Sequence, residues 1–277
     1  MPMTRVLITG AAGLVGGSLV RHAPDRHTVA GVTRKDADLA DRDAVVRLFD
    51  TYRPEVVVHA AARQSEPERD IVVASANVID GCLAVGAGLV HLSTDCVFRG
   101  DRAPYGEHDR VDPVNAYGRG KAEVEADIAD RFPEAAVVRT SLVCNVKPPD
   151  PRTAAVLDAL ADRKPLTLYT DELRCPVRLD DLTAALWELT GLPPRSRSGV
   201  WHLVGPEAVS RYTLGVLIAA WAGLDPGSIM AGSSADAGEP RPADVRLTTR
   251  ATDAALETRL RPISTLYVPP SRGRAKR

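Results

Sequence analysis

A chain of 277 residues with 44% hydrophobic content can bury one large core, or one core and a smaller lobe, and its 35 basic and 36 acidic residues leave a formal net charge of -1. That balance supplies no general field to gather nucleic acid or an anionic membrane, so a small molecule is the expected partner. No apolar run approaches the ~20 residues that span a bilayer, and the chain passes from Met1 almost directly into Arg5-Val-Leu-Ile-Thr9; neither a span nor a leader is expected, and a cytoplasmic setting fits.

The first apolar run, Val6-Leu-Ile-Thr9, reads as a buried strand, and four more follow at 29–33, 56–59, 89–92 and 136–139. Between them, 43–52, 71–85 and 116–132 are long enough for crossover helices. Strands this continuously apolar belong where helices cover both faces, which predicts an α/β fold on a Rossmann-type, doubly wound parallel sheet. After about Asn145 the texture changes: Lys147-Pro-Pro-Asp-Pro151, Pro193-Pro-Arg-Ser-Arg-Ser198 and the small, polar stretch 232–242 interrupt it. We therefore expect a dinucleotide-binding domain over 1–145, and a smaller α/β substrate lobe over 146–268 interleaved with late sheet elements around 176–204. A basic, disordered tail over 269–277 completes the expectation. Cys82, Cys96, Cys144 and Cys175 are far apart, with neither disulfide-scaffold density nor metal-ligand spacing, and read as buried and inert.

Gly10-Ala-Ala-Gly13-Leu-Val-Gly16 directly follows the first strand and opens a helix, the context a dinucleotide fingerprint requires. Glycines let the backbone approach a pyrophosphate, whose charge then meets free N–H groups at the positive helix end. Gly10, Ala12, Gly13, Leu14 and Val15 are the candidate positions, and a bland glycine-rich turn is the competing reading. At the end of the second strand, Thr33-Arg34-Lys35-Asp36 puts two cations where NAD enzymes usually place a carboxylate against the ribose. A guanidinium at Arg34 suits the 2'-phosphate of NADP, so NADP(H) is favoured over NAD(H), with a solvated loop arginine as the alternative. Asp38 and Leu39 are placed to border the adenine.

Tyr117-Gly-Arg-Gly-Lys121 puts phenol and ammonium at i and i+4, stacked on one helix face about 6 Å apart along the axis. The ammonium can favour phenolate and so lower the phenol's pKa, as a proton donor to a carbonyl requires. Ser93-Thr94-Asp95 sets a hydroxyl at a carboxyl-terminal strand edge, where such sheets bind ligands. A Thr that merely caps the next turn is the plain alternative.

With these residues in place, the sequence resembles the extended short-chain dehydrogenase/reductases over most of its length, and among them the dTDP-4-dehydrorhamnose reductase branch. The resemblance rests on the G-x-x-G-x-x-G turn at 10–16, a spacing seen in that family, on Asp38-Leu-Ala-Asp41 and on Pro54-Glu-Val-Val-Val-His-Ala-Ala-Ala62. It extends through Ser93-Thr-Asp-Cys-Val-Phe-Arg-Gly100 with Pro104-Tyr105, Pro113-Val-Asn-Ala-Tyr117-Gly-Arg-Gly-Lys121, Arg139-Thr-Ser141 and Arg241-Pro242. It implies hydride transfer from a nicotinamide to a keto carbon, with Tyr117 protonating the alkoxide, Lys121 holding the ribose and Thr94 polarising the carbonyl. Ala60, Ala61 and Ala62 would lie beside the cofactor, and a homodimer is a candidate assembly.

Three departures bear on the substrate. Cys96 stands where the sugar 4,6-dehydratases place a Glu, which favours simple reduction; Leu142 stands where rhamnose-forming reductases usually carry a Trp; Ile71 takes the place of a helix Asn, with Asn77 near but out of register. Thr94, Asp95, Leu142 and Arg174 are the expected substrate-facing residues, Arg174 pairing with a phosphate or carboxylate unless it is a surface arginine. Two other functions stay open: a non-catalytic NADP-binding regulatory subunit, like that of methionine adenosyltransferase, and a nucleotide-sugar epimerase.

Overall fold

The computed structural model describes residues 3–269; from residue 270 onward the basic tail expected over 269–277 lies outside them. The chain alternates strand and helix from the start: β1 (Thr4–Thr9), α1 (Leu14–Arg21), β2 (His27–Val32), α2 (Arg42–Tyr52), β3 (Val56–His59), α3 (Ala74–Val85), β4 (Gly88–Thr94), α4 (Ala116–Arg131) and β5 (Ala136–Thr140). One π-helical stretch, Glu68–Val73, leads into α3. That helix therefore begins around the buried Ile71 rather than as regular α-helix from it. Local signals start the helices. Asp41 Oδ1 accepts from the N–H groups of Asp43 and Ala44 at 2.9 and 3.2 Å, and Asn115 Oδ1 accepts from Gly118 N at 2.8 Å, satisfying first-turn donors that have no intrahelical partner.

Alternate residues of the strands supply the two faces. Val6 and Ile8 of β1 face a core shared with Leu19 of α1, while Leu7 faces a second core with Leu48 and Phe49 of α2 and Ile128 of α4. Both sides of the sheet are thus sealed, and apolar runs without polar alternation are the result.

Beyond β5 the chain makes β6 (Val143–Cys144), α5 (Pro151–Ala161), β7 (Leu166–Tyr169), β8 (Leu173–Arg174), β9 (Val177–Arg178), α6 (Leu179–Gly191), α7 (Pro194–Arg197), β10 (Gly199–Leu203), β11 (Val209–Ser210), α8 (Arg211–Ala222), β12 (Ile229–Gly232) and α9 (Arg250–Ala255). Two of these return to the first core: Leu182, Leu186 and Leu189 of α6 pack with Leu19, and β10 adds itself to the sheet beside β5. The six-stranded order is β10-β5-β4-β3-β1-β2, all pairs parallel. Strand order reverses between β1 and β3, and ligands of open α/β sheets bind beyond the carboxyl ends at such a point. A third core, with Val156 and Leu160 of α5, Leu214 and Ile218 of α8 and Tyr267, holds the later elements together around the parallel pair β7 and β12.

Candidate active site

The reversal point is a cavity of about 310 Å³ between the turn after β1 and the segment after β3. Gly10 makes it possible: its φ is +71°, and a Cβ there would stand 2.8 Å from the backbone of Ala61, closer than real contacts allow. The two segments are also pinned from below. His59 Nδ1 pairs with Thr9 Oγ1 at 2.7 Å and His59 Nε2 with Ser75 Oγ at 3.1 Å, while Thr9 Oγ1 accepts from Ala61 N at 3.3 Å. Burial lowers the His59 pKa to about 3, so this link between β1, β3 and α3 stays uncharged.

Of the sequence candidates, Gly10, Ala12, Gly13, Arg34, Asp38, Leu39, Ala60, Ala61 and Ala62 line this cavity. Leu14 and Val15 do not: their side chains pack against the first core, leaving only backbone N–H groups for a ligand. Among the described residues no side chain caps the start of α1, so those first-turn donors have no side-chain partner there. Arg34 sits at the rim with its side chain 45% exposed, its Nη1 3.2 Å from Asp70 Oδ2 and its Nη2 4.0 Å from Asp38 Oδ2. Two further arginines join it. Arg63 Nε lies 3.8 Å from Asp70, and Arg69 pairs with both Asp70 and Asp38. Asn77, from α3, donates to the Leu39 carbonyl at 3.0 Å, holding the loop that carries Asp38.

β4 and α4 supply the reactive groups. Thr94 ends its strand with Oγ1 accepting from Cys96 N and donating to Asp95 Oδ1, both at 3.2 Å. Asp95 is 3% exposed and also accepts from Ser141 Oγ at 2.5 Å, so it reads as the anchor of the two hydroxyls around it. Tyr117, in the first turn of α4, is partly buried; burial, the largest cause, raises its phenol well above the ordinary value, and hydrogen bonding with Thr94 opposes that rise.

Lys121, one turn after Tyr117, is held from the strand beneath it. Its Nζ donates to the Leu92 carbonyl at 2.7 Å, and burial lowers its pKa to about 8 against the attraction of Glu125 one turn on. An i, i+4 spacing fixes a common helix face, but the strand carbonyl beneath it captures the charge. Glu125 meanwhile accepts from Ser93 Oγ at 2.5 Å and from Arg139 Nη2 at 2.7 Å. Thus three consecutive residues of β4, Leu92 to Thr94, are each engaged by one residue of α4 or its ligands.

Arg174, expected to pair with substrate, is 3% exposed. Its Nη1 donates to the carbonyls of Leu173 and Ala243, and its Nη2 to Glu172 and the Pro242 carbonyl, all at 2.8 Å. Only Nε is left, 3.9 Å from Asp95, so its present work is to lock the lobe together. The sequence reading missed its neighbours. The charges of Arg152, Arg174 and Arg241 all bear on Arg211, with Glu172 opposing them, and Arg152 also bears on Tyr117. Leu142 is half-buried against the third core.

The family model described as the RmlD substrate binding domain matches residues 3–265. The chain belongs to the RmlD substrate-binding domain family. Among its relatives is the dTDP-4-dehydrorhamnose reductase of Mycolicibacterium smegmatis, 34% identical over 222 residues that cover 75% of this chain and 66% of that protein. The methionine adenosyltransferase 2 subunit beta of Danio rerio is 29% identical over 268 residues, covering 89% and 83%. In structure, the RmlD-type fold is shared with the dTDP-4-dehydrorhamnose reductase of Bacillus anthracis, solved in complex with NADP, at a TM-score of 0.85, 23% identity and 96% coverage of each chain. The Rossmann-type reading of the sequence therefore holds. Among the described residues no helix is long and apolar enough to cross a membrane.

Proposed function

We propose that this protein is an NADPH-dependent reductase of a carbonyl carried on a nucleotide, with a nucleotide-linked 4-keto sugar as the leading substrate class. One observation carries the reading: a glycine-turned cavity lies at the strand-order reversal, the Thr94 and Tyr117 hydroxyls meet at the carboxyl end of β4, and Arg152, whose charge bears on Tyr117, bears also on Arg211. A dinucleotide suits the cavity because two backbones meet there with no Cβ between them, and because the uncapped start of α1 offers donors to a pyrophosphate. Arg34, with Arg63 and Arg69 close by, would meet a 2'-phosphate. The bound nicotinamide would supply the hydride.

The chain's own residues do the rest. The raised pKa of Tyr117 keeps its phenol protonated at neutral pH, ready to donate to a carbonyl oxygen as negative charge develops there. The Thr94 hydroxyl can turn from Asp95 Oδ1 to that oxygen by rotating one bond. Lys121, an ammonium at neutral pH held on the Leu92 carbonyl, keeps a fixed positive charge behind the site. Arg152, Arg211 and Arg241 favour a substrate with a diphosphate.

The likeness to the methionine adenosyltransferase subunit supports a second reading, a cofactor-binding regulatory protein. NADPH oxidation against a panel of nucleotide 4-keto sugars and simple ketones separates the two. Because Leu142 offers no indole ring, we expect a carbonyl other than dTDP-4-keto-rhamnose to be turned over best. Tight NADPH binding with no carbonyl reduced would favour the regulatory reading.

A further inference from the structure

At the opposite end of the sheet, where β1, β2, β3 and β4 begin, lies a second and larger cavity of about 560 Å³. β4 runs seven residues from Gly88 to Thr94, which at ~3.3 Å per residue sets the cavity about 20 Å from the candidate active site. Its walls are largely apolar, with Leu83, Phe132 and Leu192 among them.

Into this cavity reaches Arg197, a residue only 4% exposed. Its backbone carbonyl is fixed by Trp201 Nε1 at 2.8 Å, and its Nη1 donates to the Thr190 carbonyl at 3.0 Å. Among the described residues its side chain engages no other acceptor. Nε is buried without a partner, and among the described residues no carboxylate lies within 4.0 Å of the guanidinium. The guanidinium lies directly over the first strand residue, Gly88, where a Cβ would stand 2.1 Å from Arg197 Nη2.

A buried cation of this kind is costly unless paired. The carbonyl at the end of α6 offsets part of that cost, with the ~half charge of a helix end, but a guanidinium has five donors and a fork that fits a carboxylate. The other charges on the wall do not supply the partner. Glu55 is engaged by Arg5, whose N donates to it at 2.8 Å, Glu134 is exposed, and Arg26 adds a second cation to the wall.

We propose that this cavity binds a small carboxylate with an apolar body, of the kind a medium-chain fatty acid presents, with Arg197 as its charge partner. The acyl chain lies along Leu83, Phe132 and Leu192 while the carboxylate takes the Nη donors of Arg197 that the Thr190 carbonyl leaves free. Binding here is independent of the nicotinamide cavity and does not rest on the reductase reading.

The test is thermal unfolding of the full chain with octanoate, against octanol as the uncharged control, each with and without saturating NADPH. Octanoate should raise Tm saturably, by roughly 5 °C at a hundredfold excess over its Kd, equally with NADPH present, and octanol should not. R197M should remove the octanoate response without lowering Tm in plain buffer. No rise up to the micellar limit of octanoate, an equal rise with octanol, or a response that survives in R197M would each overturn the proposal. Should R197M fail to fold, wild-type crystals soaked in octanoate bearing a terminal bromine decide it. Anomalous density in this cavity with the carboxylate on Arg197 is the expected result, and density elsewhere or none overturns it.

Discussion

Lys121→Met should make this protein more stable at neutral pH while removing its activity. The ammonium is enclosed, 2% exposed, and burial takes its pKa from the ordinary 10.5 to about 8. At ~1.4 kcal/mol per pH unit, holding that charge in the folded state costs about 3 kcal/mol. Met keeps the length and apolar character of the stem but loses the bond to the Leu92 carbonyl, worth ~1 kcal/mol; the net gain is about 2 kcal/mol. The pH dependence has a fixed sign. A cation whose pKa is lowered by folding destabilises fully below the folded value and not at all above the unfolded one, because the unfolded chain binds the extra proton only between them. The advantage of the variant should therefore be complete at pH 7, shrink from about pH 8 upward and reverse before 10.5, where only the lost bond of ~1 kcal/mol remains. Urea unfolding of both proteins across that range measures it. A variant less stable than wild type at pH 7, or an advantage flat with pH, would refute the account of Lys121 as a stored electrostatic cost.

Glu125→Gln should lose about 3 to 5 kcal/mol, because it strands Arg139 in a pair whose side chains are 5% and 8% exposed; calorimetry should show Tm falling by roughly 10 °C. Arg34→Ala should weaken NADPH binding about tenfold and leave NADH unchanged by titration calorimetry, a loss held down by the 45% exposure of the side chain and its competing Asp70. Tyr117→Phe should leave NADPH affinity nearly intact and reduce turnover by at least ~100-fold; unchanged turnover would move the proton donor elsewhere.

The glycine turn and the apolar strands were readable because their causes are local: a close approach needs Gly10, and a sheet sealed on both faces needs Val6, Leu7 and Ile8 all apolar. The same holds for the positions of Thr94, Tyr117 and Lys121. What those groups do to one another was less readable, since the ammonium's partner is a carbonyl 29 residues away and no helical spacing encodes it. Arg152, Arg174, Arg211 and Arg241 come from four separate segments, and Arg34 and Arg63 from two, so only the fold assembles either cluster. Arg174 was noticed for its charge, but its burial depends on carbonyls of Pro242 and Ala243 that nothing near it in sequence announces.

The pairing of β10 with β5 has a consequence for how the polypeptide can be made and cut. Between those neighbours the chain leaves the sheet, completes α5 to α7 and only then returns. While a ribosome is still releasing that excursion, β5 has one flank of N–H and C=O groups open, a ready template for another chain. The nucleotide-cavity half is then complete in sequence and incomplete in hydrogen bonds. A fragment stopped before residue 199 should accumulate as aggregate, whereas supplying the later portion in trans should rescue it by strand addition. Closure of so distant a contact also slows the last step of folding, which makes the first half of this molecule a natural client for chaperones.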